Sequence, residues 1–509
     1  MAMHGARRRA MRIGVAGVVA GLALGLVSCQ TSWPWKGDGG GSSGGGDAGV
    51  ATTVGSRGIL KDRLPLDEKD PTLRARIAEG ATSVDLGGPR FVILSVPGRG
   101  EAPVTVRTPV TVRVEARQWV ITPMGAARTA LQRRLAPGFD YLNVEAVGGG
   151  EVSVNNQRYP GVIRLMGRDT LASGGAGSGS FDVIEEVSVE DYLPGVIVKE
   201  MLPGWHLQAY RAQAIAARSY ALHERARKRS LGSAFDVEVT EQSQVYGGTT
   251  TDPAAIEAVK STRGLVVGSG GKLIRAYYSS TCGDRAGSAR DTWPTGPGYE
   301  FNLAEPIQAH ERVCPCERSP RYRWSVTRSK RELEDRIRSF AADRGMGLRD
   351  LKEISEIKAS SYNTVGRPAR YQIVGTDGRT WELSAEDLRI GCNHPGSAGA
   401  KLPPIEFKDR VLSGDIALNI TGDTVIISGR GFGHAVGMCQ YGAQALANQG
   451  LKGVDIIERH VRGRRRPCAL LRVAGAGAKS GREFRDDEDD DARFLCACRR
   501  VRRRRGVGR

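Results

Sequence analysis

Aromatic residues are scarce in this sequence, at 6% of 509 residues, whereas glycine is abundant at 67. This composition is typical of a β-rich chain with many turns and argues against a helical bundle. The sequence has no internal repeat, and beyond the N-terminal leader no apolar run is long enough to cross a membrane. A hydrophobic content of 40% and a charged content of 26% fit a globular protein of two or three domains.

The formal net charge of +18 first suggests a nucleic-acid-binding protein, but its distribution weakens that idea. Residues 461–509 contain 15 arginines and one lysine against seven acidic residues, a net charge of +9. About half of the excess charge therefore lies in the last tenth of the chain. The remaining mild excess suits a surface that works near anionic polymers.

The N-terminus carries an export signal. Arginines at positions 7–9 and 12 precede an apolar run, residues 13–27, that is too short for a comfortable membrane-spanning helix. The run ends in Leu-Val-Ser-Cys, which resembles the bacterial lipobox, so Cys29 is the predicted lipidation site. We therefore predict a signal peptide over residues 1–28 and an exported lipoprotein facing the periplasm or cell wall. The alternative is a cleaved signal without lipid, and export argues against a nucleic-acid partner.

The sequence predicts an α+β fold. Residues 29–71 include a Gly/Ser/Asp tract and form a predicted flexible tether. In residues 72–182, short runs of alternating apolar and polar side chains are separated by Gly and Pro. This pattern predicts antiparallel strands of a sandwich or barrel-like module. Residues 183–460 have a mixed pattern, in which 207–228 form an Ala-rich helix that is buried on most sides. Further helices are predicted at 253–260 and 330–344.

Glu200 follows an apolar run, residues 195–199, that begins after a predicted strand breaks at Pro194-Gly195. A carboxyl group placed among apolar side chains resists ionisation, so its pKa rises and it can hold a proton at neutral pH. A general acid that cleaves a glycosidic bond needs this property. The alternative is an ordinary strand-end carboxylate paired with Lys199 or an arginine.

Five motifs, in order, resemble the stage II sporulation protein D (SpoIID/LytB) family between residues 159 and 459. They are VEDYLPGVIVKEM (189–201), AYRAQAIAARSYAL (209–222), QSQVYGG (242–248), YYSSTCG (277–283) and GRGFGHAVGMCQYGA (429–443). The chain departs from the family's "YYSSTSGG" at Cys282 and Asp284. It departs from "GHGVGMSQYGA" at Ala435 and Cys439. The resemblance implies a SpoIID-like catalytic domain over 183–460.

The resemblance implies a lytic transglycosylase that cuts peptidoglycan glycan strands stripped of stem peptides, with Glu200 at the position of the catalytic glutamate. Such an enzyme needs no cofactor for catalysis and can use one carboxylate, because the attacking nucleophile is the C6 hydroxyl of the same N-acetylmuramic acid ring. The high effective concentration of a hydroxyl group on the same ring can lower the activation barrier of this attack by roughly 7–11 kcal/mol. The predicted substrate-binding residues are Arg218, Gln244, Tyr246, Ser279, His434, Gln440 and Tyr441. Arg218 has the alternative role of an ion pair with Glu200.

Four cysteines of the predicted folded region, Cys282, Cys314, Cys316 and Cys392, remain to be explained. Cys and His side chains from loops can close a tetrahedral zinc site, and some family members carry a structural zinc bound by Cys and His. The alternative is one or two disulfides, which an exported compartment permits. In either case the predicted role is structural.

Two questions stay open in the sequence. The motifs are shared by cleaving enzymes and by glycan-binding modules that stimulate a cell-wall amidase, so a non-catalytic amidase partner is the alternative function. After His460 the family continues into "YYPG", whereas residues 461–509 form an Arg- and Cys-rich tail. The tail is either an out-of-frame translation or a disordered basic segment that binds teichoic acid, lipid or nucleic acid.

Overall fold

The computed structural model describes residues 70–95, 102–115, 118–125, 133–135, 141–168, 179–239, 243–397, 400–461 and 469–472. These residues form eight α-helices and 26 strands, so the α+β class is confirmed. Among them no helix has the length and apolar character of a membrane span. The predicted signal peptide, Cys29, nearly all of the tether and most of the 461–509 tail lie outside the described residues.

The first twelve strands form two sheets that share one hydrophobic core. One contact between the two sheets is that of the Trp119 and Phe181 rings, which pack edge to face with their centroids 5.3 Å apart. The two sheets therefore form a sandwich, as the alternating pattern predicts. The strands are β1 (Thr72–Ala81), β2 (Ser83–Gly87), β3 (Phe91–Ser95), β4 (Val104–Arg107), β5 (Val110–Glu115), β6 (Gln118–Pro123), β7 (Arg133–Leu135), β8 (Leu142–Ala146), β9 (Val152–Val154), β10 (Gln157–Tyr159), β11 (Val162–Gly167) and β12 (Phe181–Ser188).

The chain then alternates helices with short strands. These elements are α1 (Val189–Glu200), α2 (Leu207–Ser230), β13 (Val237–Glu238), α3 (Pro253–Ser261), β14 (Leu265–Ser269), β15 (Lys272–Leu273), β16 (Tyr278–Ser279) and α4 (Ala289–Thr292). Helix α2 contacts α1, α3, α7 (Gln440–Asn448) and α8 (Gly453–His460), and the alanines on its surface allow these close approaches. The predicted buried Ala-rich helix is confirmed.

Helix α1 corrects a sequence prediction. A strand that breaks at Pro194-Gly195 was predicted, but the helix runs through both residues. Ser188 caps it, because its side-chain oxygen accepts from the Asp191 N–H at 3.1 Å. A Cβ on Gly195 would lie 2.1 Å from the Gly248 carbonyl oxygen, so glycine is needed there for close approach of a loop. Glu200 is consequently the last residue of a helix rather than a strand end.

The remaining elements divide between the first core and a second one. They are β17 (Arg323–Ser329), α5 (Lys330–Asp343), β18 (Ile354–Tyr362), β19 (Pro368–Gly375), β20 (Thr380–Ser384), α6 (Ala385–Cys392), β21 (Gly396–Ser397), β22 (Ala400–Lys401), β23 (Ile416–Thr421), β24 (Thr424–Arg430), β25 (Met438–Cys439), α7, α8 and β26 (Ala469–Arg472). Strands β17 to β20, β23 and β24, together with α5 and α6, enclose a hydrophobic cluster of their own.

The domain boundary predicted at 182/183 falls inside β12. This strand pairs with both β1 and β11, and β1 also pairs with β13, so one sheet runs through both predicted regions. Side chains of the sandwich and of α1 and α2 belong to the same core. The separate hydrophobic core lies between residues 326 and 427 instead.

Candidate active site

Glu200 lies where three segments of the chain converge. Its Oε1 accepts the Val245 N–H at 3.3 Å, and its Oε2 lies 3.5 Å from Nε2 of Gln440. The side chain is 5% exposed. The end of α1, the loop after β13 and the start of α7 thus supply the carboxyl group and two donors for it.

Two features of the loop after β13 place the Val245 N–H beside Glu200. A strand was predicted over 237–246, but of the described residues in this range only Val237 and Glu238 are paired, so the Val245 N–H is not used by a sheet. The loop is held against α1, because the Gly247 N–H donates to the Gly195 carbonyl oxygen at 3.1 Å. The glycines of the 242–248 motif therefore serve a close approach between loop and helix.

Gln440 is the first residue of α7, and its amide reaches two groups. Besides Glu200, Nε2 lies 3.4 Å from Oε1 of Gln213, which is fully buried in α2. Gln440 was predicted to bind substrate, and the structure places it on the carboxyl group instead. Gln213 and Val245 are residues of the site that sequence reasoning missed, although both stand inside the quoted motifs.

Gln244 and Tyr246, both predicted to bind substrate, are buried side chains of the core. Nε2 of Gln244 donates to the Ala217 carbonyl oxygen at 3.2 Å and lies 3.1 Å from the Tyr278 hydroxyl. The Tyr246 ring packs on Tyr192, with ring centroids 4.5 Å apart, and is 6% exposed. Their contacts hold the loop and α1 together, which supports Glu200 without offering a surface to a sugar.

Arg218 was predicted to bind substrate or, alternatively, to pair with Glu200, and the structure pairs it with Glu190. Its guanidinium forms a two-pronged pair with Glu190, with Nε–Oε1 and Nη2–Oε2 distances of 2.9 Å. It also donates to the carbonyl oxygens of Val259 and Leu265, and the residue is 1% exposed. Arg218 therefore joins α1, α2, α3 and β14 inside the core.

Ser279 and His434 also lie below the surface. Ser279 is 1% exposed and sits in β16, which pairs with β25. The Val436 N–H donates to Nδ1 of His434 at 3.0 Å, and burial lowers the pKa of His434 to about 4. The imidazole is thus neutral at pH 7, and it lines a small cavity.

Tyr441 is the predicted substrate-binding residue that remains partly exposed. Its ring meets the edge of Trp205 with centroids 4.9 Å apart and an interplanar angle of 77°. Both side chains are half-buried, and they follow Glu200 and Gln440 closely in the chain. Sequence reasoning missed Trp205, for which the signal was an aromatic residue four positions after the Glu200-Met201 pair.

A larger cleft lies between residues 290–294 and the start of α6. Arg290, Arg344 and Arg370 line it together with Glu386 and Asp387. Glu200 lines neither this cleft nor the small cavity beside His434.

Four buried cysteines form a cluster next to the α7 N-terminus. The sulfur atoms of Cys282, Cys314, Cys316 and Cys439 all lie within 4.8 Å of one another. The predicted set of Cys282, Cys314, Cys316 and Cys392 is therefore wrong in its fourth member. Cys392 ends α6 in the second core, where burial raises the pKa of its thiol to about 12.

Comparison with known proteins places these motifs among bacterial relatives. Residues 177–268 match the family model described as "SpoIID: Stage II sporulation protein", and residues 302–437 match a domain of unknown function (DUF8618). An uncharacterized protein of Brachyspira hyodysenteriae is 29% identical over 266 residues, which are 52% of this chain and 62% of that protein.

Two Bacillus subtilis proteins also align. The amidase enhancer is 28% identical over 285 residues, 51% of this chain and 38% of the enhancer. Stage II sporulation protein D is 26% identical over 298 residues, 55% of this chain and 74% of that protein. The alignments thus span less than two thirds of the Brachyspira protein and of the amidase enhancer.

Proposed function

Because this chain belongs to the SpoIID/LytB family, we propose that it is an exported lytic transglycosylase that cleaves the MurNAc–GlcNAc bond of peptidoglycan glycan strands. Glu200 is its acid and base, and lipid on Cys29 anchors it to the membrane. The observation that carries the proposal is a poorly solvated carboxyl group, 5% exposed, at the junction of three family motifs.

The proposed reaction needs this single carboxyl group. Glu200 gives its proton to the glycosidic oxygen as the bond to C1 of MurNAc breaks. The C6 hydroxyl of the same ring attacks C1 and returns its proton to the carboxylate. The products are a free GlcNAc hydroxyl and a 1,6-anhydro-MurNAc end, and no water is consumed. A hydrolase would instead need a second carboxylate to direct water or to attack C1.

The neighbours of Glu200 have supporting roles in this proposal. The Val245 N–H and the Gln440 amide stabilise the carboxylate that forms after proton transfer and fix its orientation. Trp205 and Tyr441 form a half-buried aromatic pair, which suits stacking against a pyranose face.

Denuded glycan strands incubated with the protein provide the test. We expect the wild type to release products that end in anhydro-MurNAc, identified by mass spectrometry. Glu200→Gln keeps the shape of the side chain but removes its proton transfer, so its rate should fall at least about a hundredfold. The matched control is Glu257→Gln, which changes an exposed glutamate of α3 and should leave the rate unchanged. Equal rates for Glu200→Gln and the wild type would refute the role of Glu200.

A second function is a glycan-binding partner that stimulates a cell-wall amidase without cutting glycan. The similarity to the amidase enhancer favours it, as does the near-complete burial of Glu200 away from the larger cleft. A cell-wall amidase assayed with added protein separates the two functions. Stimulation that survives Glu200→Gln, with no anhydro products from the wild type, supports the partner function.

A further inference from the structure

The four-cysteine cluster is unlike any other group of thiols in the described residues. Each of its sulfur-bearing residues is at most 4% exposed, and only Ala435, Tyr322 and Tyr441 complete the small packing cluster around them. Cys282 and Cys439 are the two positions at which this chain has cysteine where the family motifs have serine. Cys314 and Cys316 come from a loop between those motifs and meet them.

The spacing of the sulfur atoms fits one metal ion. Four sulfurs about 2.3 Å from a central zinc lie about 3.8 Å from one another in a tetrahedron. The Cys282 and Cys316 sulfurs are 3.8 Å apart, and all four lie within 4.8 Å. A cluster of several iron atoms would hold its four cysteine sulfurs farther apart, and a disulfide would bring two of them to about 2.05 Å.

Hydrogen-bond donors surround the sulfur of Cys439. Backbone N–H groups of Cys282 and Gly442 point at the Cys439 sulfur, at 3.3 and 3.4 Å, and Cys439 caps the N-terminus of the nine-residue helix α7. Such donors stabilise a charged sulfur. A Cβ on Gly442 would lie 2.4 Å from the Cys314 sulfur, so glycine at this position leaves room for that sulfur.

We propose that Cys282, Cys314, Cys316 and Cys439 bind one zinc ion as a structural tetrathiolate site. His310 is not a ligand, because its ring nitrogens face the carbonyl oxygens of Gln308 and Arg459. The ion joins the end of β16, the 314–316 loop and the start of α7, across 157 residues of chain between Cys282 and Cys439. It thereby holds the residue after Cys439, Gln440, against Glu200. The site stands independently of the proposed catalysis.

Zinc content of the purified chain tests the proposal directly. Elemental analysis by mass spectrometry should find one zinc per wild-type chain, because four thiolates bind this ion tightly. Cys316→Ser should retain less than about a tenth of that zinc. Cys392→Ser is the matched control, because it changes an equally buried cysteine of the other core, and it should retain the full amount. Absence of zinc from the wild type, iron in its place, or equal zinc in Cys316→Ser would overturn the site.

Two further measurements cover a variant that fails to fold. Wild-type chain stripped with a chelator and titrated with Co²⁺ should develop the sulfur-to-metal charge-transfer bands of a tetrahedral thiolate site, and Cys392→Ser should develop them equally. Alkylation of the freshly purified, unreduced chain under denaturing conditions, followed by peptide mapping, should show Cys282, Cys314, Cys316 and Cys439 as free thiols. A disulfide between any two of these four cysteines would refute the metal site.

Discussion

Two buried carboxyl groups lie on consecutive elements, Glu185 in β12 and Glu200 at the end of α1. Glu185 is 0% exposed and accepts the Gly161 N–H through Oε1 at 2.9 Å. Burial, opposed in part by this hydrogen bond, raises the pKa of Glu185 to about 7. Its neighbour Glu186 faces the other side of the sheet and pairs with Arg164 at 3.0 Å.

The raised pKa of Glu185 predicts a stability that falls with pH. Between about pH 4.5 and 7 the folded protein holds a proton on Glu185 that the unfolded chain has lost, so the free energy of unfolding decreases as pH rises. The loss is roughly 3 kcal/mol at most. Glu185→Gln removes the ionisation and keeps an acceptor for Gly161, so its melting temperature should fall less across this window. Glu186→Gln should follow the wild type, and identical slopes for Glu185→Gln and wild type would contradict the prediction.

At this scale the sequence predicted the burial of Glu200, which is 5% exposed, but not its contacts. Motifs name the residue, but which side chain faces it depends on the directions in which α1 and α2 present their side chains. Arg218 turns toward Glu190, and Gln440 arrives from 240 residues away. The fourth member of the cysteine cluster was missed for the same reason, since Cys439 was assigned to its motif alone.

Among the elements, α1 and α2 are joined by one buried ion pair. The Arg218 side chain fills the space between them and donates to the ends of α3 and β14 as well as to Glu190. Breaking a buried pair leaves the remaining charge without compensation, which costs more than the pair itself contributes. The position of Glu200 on α1 therefore depends on a residue that does not contact it.

Arg218→Gln is expected to lower the free energy of unfolding by about 3 kcal/mol, because Glu190 and the carbonyl oxygens of Val259 and Leu265 lose their donor. The melting temperature should drop accordingly. Arg211→Gln is the matched control on the same helix, since Arg211 is partly exposed and pairs with exposed Glu257, and it should cost less than about 1 kcal/mol. Similar melting temperatures for the two variants would show that Arg218 is not the link between these helices.

Helix α2 was predictable because its many alanines and the helical spacing of its apolar residues both indicate a helix over six turns. Helix α1 was not, because Pro194 and Gly195 are strong signals for a break. Its Ser188 cap, the packing of its apolar face and the loop that requires Gly195 outweigh the local preference. Short strands such as β13 and β16 depend on partners distant in sequence, which no local pattern reports.

The described residues contain two large hydrophobic cores, and the division between them does not coincide with the domain boundary predicted near residue 182. The change of pattern near residue 182 marks the point where helices join the sandwich, yet the sheet and the core continue through it. The second core, residues 326–427, was seen only as further helices and strands. Many of the helices and strands were therefore predictable, whereas their grouping depends on tertiary packing.

The central claim is that the glycan bond is cut by the sugar's own hydroxyl with Glu200 as the sole acid and base. Cleavage of denuded strands in ¹⁸O-enriched water measures this directly, because a hydrolase places solvent oxygen on each new MurNAc end. We expect anhydro ends without ¹⁸O from the wild type and from Glu257→Gln, and no cleavage by Glu200→Gln. One ¹⁸O atom at each new end would contradict the account, and so would intact strands after incubation with the wild type.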